Sequence, residues 1–182
     1  MNIPASVAGR DSLRLFCALR LPGQVLDAVG AWQEEHIRGR AVARANLHVT
    51  LAFLGHRPAA ELEAIVTATR DAAAVARRIE LEPMRYRETR SVGMLVFADE
   101  ARAATALAED LHARLEALRV YEREQRQWLP HLTVVRFRER PRLRPPLPEL
   151  GPFAPSDAAV YLSRLRSSGA QYEVVQSFRL GG

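Results

Sequence analysis

Along this chain, stretches in which every second position is apolar give way repeatedly to stretches in which apolar positions recur every three or four residues. Ser12 to Arg20 places Leu13, Leu15, Cys17 and Leu19 on one face of a strand, which Pro22 stops. Gln24 to Ile37 then carries Val25, Val29 and Trp32 at helical spacing. Polar Gln33, Glu34 and Glu35 fill the remaining surface, His36 sits at a frayed, solvent-facing end, and the helix closes near Gly39. A second strand enters through Asn46, a turn former, and leaves at Gly55. Val49, Leu51 and Phe53 alternate with His48, Thr50 and Ala52, and His56 falls in the following loop. Ala59 to Ala76 forms a helix with Leu62, Ile65, Val66, Thr69 and Ala73 as its buried stripe. Ile79 to Arg87 alternates as a half-exposed strand, and Pro83 makes it an edge or a bulge. Val92 to Ala98 is a buried strand. Ala101 to Leu118 is a third helix, with Leu107, Leu111, Leu115 and Leu118 on one side and His112 at the boundary of that stripe.

Alternation returns in Leu129 to Phe137, where His131, Thr133 and Val135 oppose Leu132, Val134 and Arg136. Arg140 to Pro155 is too rich in Pro and Arg for either regular structure and forms an extended connector. Two strands, Ala158 to Leu165 and Tyr172 to Leu180, flank a turn in SSGAQ. Residues 1–11 are expected to be a loose tail and residues 12–182 a single domain. Hairpin-like pairs mixed with helices indicate an α+β fold of antiparallel sheets with helices outside.

Composition narrows the chemistry. A chain of 182 residues with 48% hydrophobic content can bury one core, and charges interrupt every long apolar run, so a cytoplasmic protein without membrane spans is expected. The single cysteine, Cys17, cannot form an internal disulfide and lies in a strand-like run as core material. All 26 basic residues are arginine. The absence of lysine excludes a Walker-type phosphate loop, a lysyl-nucleotide ligase intermediate and Schiff-base chemistry. The formal charge of +5 suits a phosphate-bearing partner, as it does a solvated basic surface. No ligand spacing for a metal is visible, and no cofactor is expected.

Two apolar strands share one chemically informative pattern, His-x-Thr, in a chain with only five histidines. In each strand His and Thr point to the same side. Two imidazoles with an ordinary pKa near 6.5 allow one to be neutral while the other is protonated, as concerted acid–base catalysis requires. A threonine hydroxyl beside each can donate to an anionic oxygen. If the two halves pack about a local two-fold, the motifs face each other as a phosphodiester site.

Paired His-x-Thr strands resemble the two-histidine (2H) phosphoesterase superfamily, and within it the RNA 2',3'-cyclic phosphodiesterases, also called 2'-5' RNA ligase-like or LigT-like proteins. The likeness extends to the opening RLFCALRLP (Arg14 to Pro22), to NLHVTLAFLG (Asn46 to Gly55), to PHLTVVR (Pro130 to Arg136) and to SRLRSSGAQY (Ser163 to Tyr172). It implies a bilobal fold, two pseudo-symmetric lobes of antiparallel sheet about an active-site cleft. It also implies hydrolysis of a 2',3'-cyclic phosphate at an RNA end to a 2'-phosphate; a monomer needing no cofactor is expected. Carried onto matching positions, His48 is the proton donor and His131 the proton acceptor, with Thr50, Thr133 and Arg136 as phosphate contacts. Phe53 matches an aromatic that can stack on the nucleobase, whereas strict alternation puts it among the buried residues. Rival readings are an ATP-independent RNA ligase running the displacement backwards, a hydrolase of 2'-5' oligonucleotides or small cyclic nucleotides, and an RNA-end-binding module without turnover.

Overall fold

A computed structural model of the protein describes residues 7–166 and 169–181. In chain order its elements are β1 (Ser12–Arg20), α1 (Gly23–His36), β2 (Arg40–Ala41), β3 (Val49–Pro58), α2 (Leu62–Val75), β4 (Glu82–Glu88), β5 (Val92–Ala98), α3 (Ala103–Ala117), β6 (His131–Arg136), β7 (Asp157–Arg166) and β8 (Gly169–Phe178). Short 3-10 turns at Arg44–Asn46 and Ala59–Glu61 lead into β3 and α2. The expected α+β architecture is the one found.

The strands form a curled antiparallel sheet in the order β4-β5-β6-β3-β1-β7-β8, with β2 added to β6. At its middle, β3 and β6 are joined through Val49 and Leu132. Two lobes result: β2, β4, β5 and β6 on one side of that junction, and β1, β3, β7 and β8 on the other. The main core lies between the sheet and the helices, and includes Leu13, Leu15, Cys17 and Leu19 of β1, Leu95 and Phe97 of β5, and the leucines of α3. A smaller apolar cluster, Phe16, Ala18, Ala159 and Tyr161, lies on the opposite face of β1 and β7. This second cluster explains why both faces of β1 are buried although only one is apolar at every position.

Four details differ from the sequence expectation, each for a local reason. Gly55 does not end β3, which continues to Pro58, so His56 lies in the strand opposite Arg14. Pairing skips Leu54 between Leu15↔Gly55 and Phe16↔Phe53, and Gly55 takes φ +68°, so the glycine bulges the strand. Leu118 lies just past the end of α3 and is exposed. Gln33 and His112, expected at the surface and at a stripe boundary, are both buried. Pro83 behaves as its chemistry requires: β4 is an edge strand, with a register shift between Pro83 and Arg85. The turn expected in SSGAQ falls partly on residues 167–168, outside the described residues, and Gly169 already belongs to β8.

The arginine- and proline-rich connector has no regular secondary structure but is anchored. Glu88, buried at the end of β4, accepts hydrogen bonds from Arg140 Nε (3.1 Å) and from the backbone N–H groups of Arg142 (3.0 Å) and Leu143 (2.7 Å). Trp32 Nε1 of α1 donates to Pro146 O at 2.8 Å. Val7 is buried in the core. Among the described residues no helix is long and apolar enough to cross a membrane.

Candidate active site

A cleft of about 590 Å³ opens at the junction of the lobes and is lined by His48, Thr50, Phe53, His131, Thr133 and Arg136 among others. All six residues singled out by sequence therefore border one cavity. The junction explains why. His48 immediately precedes Val49 and His131 immediately precedes Leu132, the pair that joins the lobes, so each histidine flanks the junction.

The rings are held alike. His48 Nδ1 lies 2.8 Å from Asn46 O, and His131 Nδ1 lies 2.8 Å from Leu129 O. A carbonyl only accepts, so each Nδ1 carries the hydrogen and each Nε2 is the ring nitrogen left for chemistry.

Strict alternation would send Phe53 and Arg136, each five residues after its histidine, away from the cleft. A β-bulge reverses both. In β3 the register passes from Ala18↔Thr50 to Cys17↔Ala52, skipping Leu51. In β6 it passes from Met94↔Thr133 to Gly93↔Val135, skipping Val134. Leu51 with Ala52, and Val134 with Val135, consequently all belong to the main core, and the next outward residue returns to the cleft. Phe53 is half exposed there.

A bulge frees backbone groups from the ladder, and buried ones need other partners. Here side chains supply them. His112 of α3 places Nε2 2.8 Å from Leu51 O, and Trp128 Nε1 donates to Thr50 O at 3.0 Å. Gln33 of α1 donates Nε2 to Val134 O (2.6 Å) and to Val42 O (3.1 Å). Sequence reasoning missed these roles, although a polar residue inside an apolar helix stripe was a usable signal.

The surroundings of the two histidines differ. The His48 ring packs against Phe16 (centroids 4.8 Å), Tyr172 (5.3 Å) and Tyr161 (5.7 Å). Burial lowers its pKa from 6.5 to about 4, the Asn46 carbonyl opposes that shift, and His131 and Arg136 add to it. At pH 7 His48 is therefore neutral.

Other cleft residues escaped the sequence reading. Arg14 holds its guanidinium carbon 4.7 Å from the centre of the Phe53 ring and donates Nη1 to Ser163 Oγ at 2.6 Å. Asn46 Nδ2 donates to Ala170 O at 2.9 Å, tying the approach to His48 onto β8. Cys17 is not part of the site: it is buried against Thr69, and burial raises its thiol pKa to about 11. His36 sits beside Trp32 at the end of α1, and His56 is exposed on β3. No group of three or more His, Cys, Asp or Glu side chains placed to hold a metal ion occurs among the described residues.

The chain resembles known proteins in both sequence and fold. A stretch of 55 residues, 29% of this chain, is 42% identical to the RNA 2',3'-cyclic phosphodiesterase of Escherichia coli K12 and spans 31% of that enzyme. The crystal structure of E. coli LigT complexed with 3'-AMP matches with a TM-score of 0.80 at 24% identity, over 94% of this chain and 99% of that one. A Thermus thermophilus protein of known structure matches with a TM-score of 0.77 at 30% identity, over 93% of this chain and 99% of that one. The profile of one family covers residues 21–170, and the chain belongs to that family, the 2'-5' RNA ligase superfamily of 2H phosphoesterases.

Proposed function

We propose that the protein hydrolyses 2',3'-cyclic phosphates at RNA ends to 2'-phosphomonoesters by metal-independent two-histidine catalysis. The observation that carries this reading is the matched pair of imidazoles in one cleft, each fixed through Nδ1 to a carbonyl two residues earlier, each leaving Nε2 for proton transfer. In the step proposed, His131 Nε2 takes a proton from water as the water oxygen bonds to phosphorus. The bond from phosphorus to the 3' oxygen breaks, and His48 Nε2 donates a proton to that leaving oxygen. Thr50 and Thr133 hydroxyls donate to the non-bridging oxygens, Arg136 balances their charge, and Phe53 offers a face for the base. The E. coli relative's activity and the 3'-AMP bound by LigT support this substrate class. The proposal is completed by a monomer acting on a cytoplasmic RNA end.

Because burial lowers the pKa of His48 to about 4, its role as donor requires substrate to bring a proton with it or to raise that pKa. An anionic phosphate beside the ring does the latter. The lowered pKa also favours a second reading, in which His48 is the base and His131 the acid. Substrate with sulfur in place of the 3' bridging oxygen separates the two, because a thiolate leaves without protonation. The variant lacking the acid regains rate on that substrate, and the variant lacking the base does not.

The function itself is tested with 2',3'-cyclic AMP and chromatography of the products. Formation of 2'-AMP in the presence of chelator is expected. Absence of turnover, dependence on an added divalent ion, or 3'-AMP as product would each overturn the proposal. Adding an RNA fragment with a 5'-hydroxyl tests ligation by the same groups.

A further inference from the structure

The two lobes present different chemistry to the cleft. The face of β1 and β7 is aromatic beside His48, with Phe16 and Tyr161 stacked at 4.8 Å, and among the described residues its one cation bordering the cleft, Arg14, is engaged by Ser163 and the Phe53 ring. The face of β4, β5 and β6 follows from register. Arg85 is opposite Val96, which is opposite His131; Arg87 is opposite Met94, which is opposite Thr133. Directly opposed residues of antiparallel strands share a face. Arg85 and Arg87 therefore stand on the same face as His131 and Thr133, two strand spacings or about 10 Å away. The other parity confirms the assignment: Leu95 and Phe97 lie in the main core, and Tyr86 packs against that core 6.4 Å from Trp32.

Both arginines are exposed, and among the described residues neither makes an ion pair. Two arginines of the helices, by contrast, are paired: Arg70 with Asp71 at 3.0 Å and Arg114 with Asp110 at 2.8 Å. Arg85 and Arg87 therefore put two exposed positive charges without an ion pair on the β4 rim. Arg136 marks the cleft end of the same face, and Glu82, beyond the bulge at Pro83, marks its far end.

Building on the function proposed above, we propose that the cleft face of β4 to β6 is the path of the RNA strand, with Arg85 and Arg87 holding backbone phosphates of nucleotides upstream of the terminal cyclic phosphate. The substrate is then an oligonucleotide end in preference to a free cyclic mononucleotide. The base of the terminal nucleotide lies toward the aromatic lobe and the chain leaves over the arginine lobe. Non-specific backbone contact of this kind is read by arginine forks and depends on salt.

The test compares 2',3'-cyclic AMP with a short oligoadenylate ending in a 2',3'-cyclic phosphate, in the wild type and in Arg85→Gln/Arg87→Gln. On the oligonucleotide the double variant should lose about tenfold in kcat/KM. Its dependence of log(kcat/KM) on log salt should flatten by about 1.4, from about 0.7 for each single-strand phosphate contact released. On the mononucleotide it should match the wild type. Arg85→Lys/Arg87→Lys should keep most of the oligonucleotide rate, and Arg85→Glu/Arg87→Glu should lose more than the Gln pair. Binding of 2'-AMP and of an oligoadenylate ending in a 2'-phosphate gives the same comparison without turnover, so failure of catalysis and failure of the RNA path are told apart. Equal effects on short and long ligands, or no effect on either, would overturn the path.

Discussion

His48 enters the cleft through a ring that three aromatic side chains surround, and that packing has a consequence for stability as well as for chemistry. In the unfolded chain the imidazole protonates near pH 6.5, whereas in the folded cleft it does so only near pH 4. Between those values the unfolded state binds more protons. Stability contributed by this group is therefore complete above about pH 6.5 and is lost as pH falls toward 4, by at most about 3 kcal/mol. Urea unfolding of the wild type and of His48→Asn at pH 7 and pH 4.5 checks this: the variant should lose less stability on acidification, and equal losses would contradict it. In catalysis, His48→Ala and His131→Ala should each lower turnover by roughly 10² to 10⁴, about 3 to 5 kcal/mol in the barrier. The double variant should be little worse than either single one, since each proton transfer depends on the other. Undiminished hydrolysis in either would remove that histidine from the mechanism.

Within the strands, the bulges decide which side chains reach substrate. At each bulge a core-facing residue's carbonyl meets a helix side chain, Leu51 O with His112 and Val134 O with Gln33. His112→Leu leaves a buried carbonyl unsatisfied and should cost about 1 to 3 kcal/mol. It should also raise KM by loosening Phe53. Gln33→Leu should cost less at its bulge, because Val134 O still accepts from Val42 N at 2.9 Å. Chemical denaturation with steady-state kinetics measures both, and unchanged stability in His112→Leu would show that its hydrogen bond is dispensable. These two residues also mark where sequence reading stopped. Period and punctuation made β1, β5 and the three helices legible, and the repeated His-x-Thr made the centre of the site legible, because buried alternation and paired chemistry leave a mark at every position. A bulge leaves none: Leu51–Ala52 and Val134–Val135 look like any apolar pair. The conflict over Phe53 and Arg136, turned away from the cleft by alternation and functional by resemblance, was its visible trace. Arg14 stayed hidden for another reason: its partners, Phe53 and Ser163, come from strands far apart in sequence and meet only when β1 lies between β3 and β7.

At the scale of the whole molecule, the separation of the two histidines depends on how the lobes meet. Backbone pairing between β3 and β6 is confined to Val49 and Leu132, so the sheet is least continuous where the chemistry requires most precision. Trp128 spans that junction: it lies in the segment leading into β6, and its indole N–H donates to Thr50 O of β3 at 3.0 Å. Thr50 is also the residue whose hydroxyl is proposed to hold phosphate, so this one bond ties a phosphate contact of one lobe to the histidine strand of the other. Trp128→Phe keeps most of the ring's packing while removing the donor, and should cost about 1 kcal/mol in stability. Its kinetic effect should be larger in kcat than in KM, since a reacting group displaced by a fraction of an ångström loses transition-state alignment before it loses ground-state contact. A several-fold fall in kcat with nearly unchanged KM, and an unshifted pH profile because neither imidazole is touched, is the expected result. If kcat is unchanged, the junction is held by the packing of the lobes alone, and Trp128 has no part in setting the distance between the two histidines.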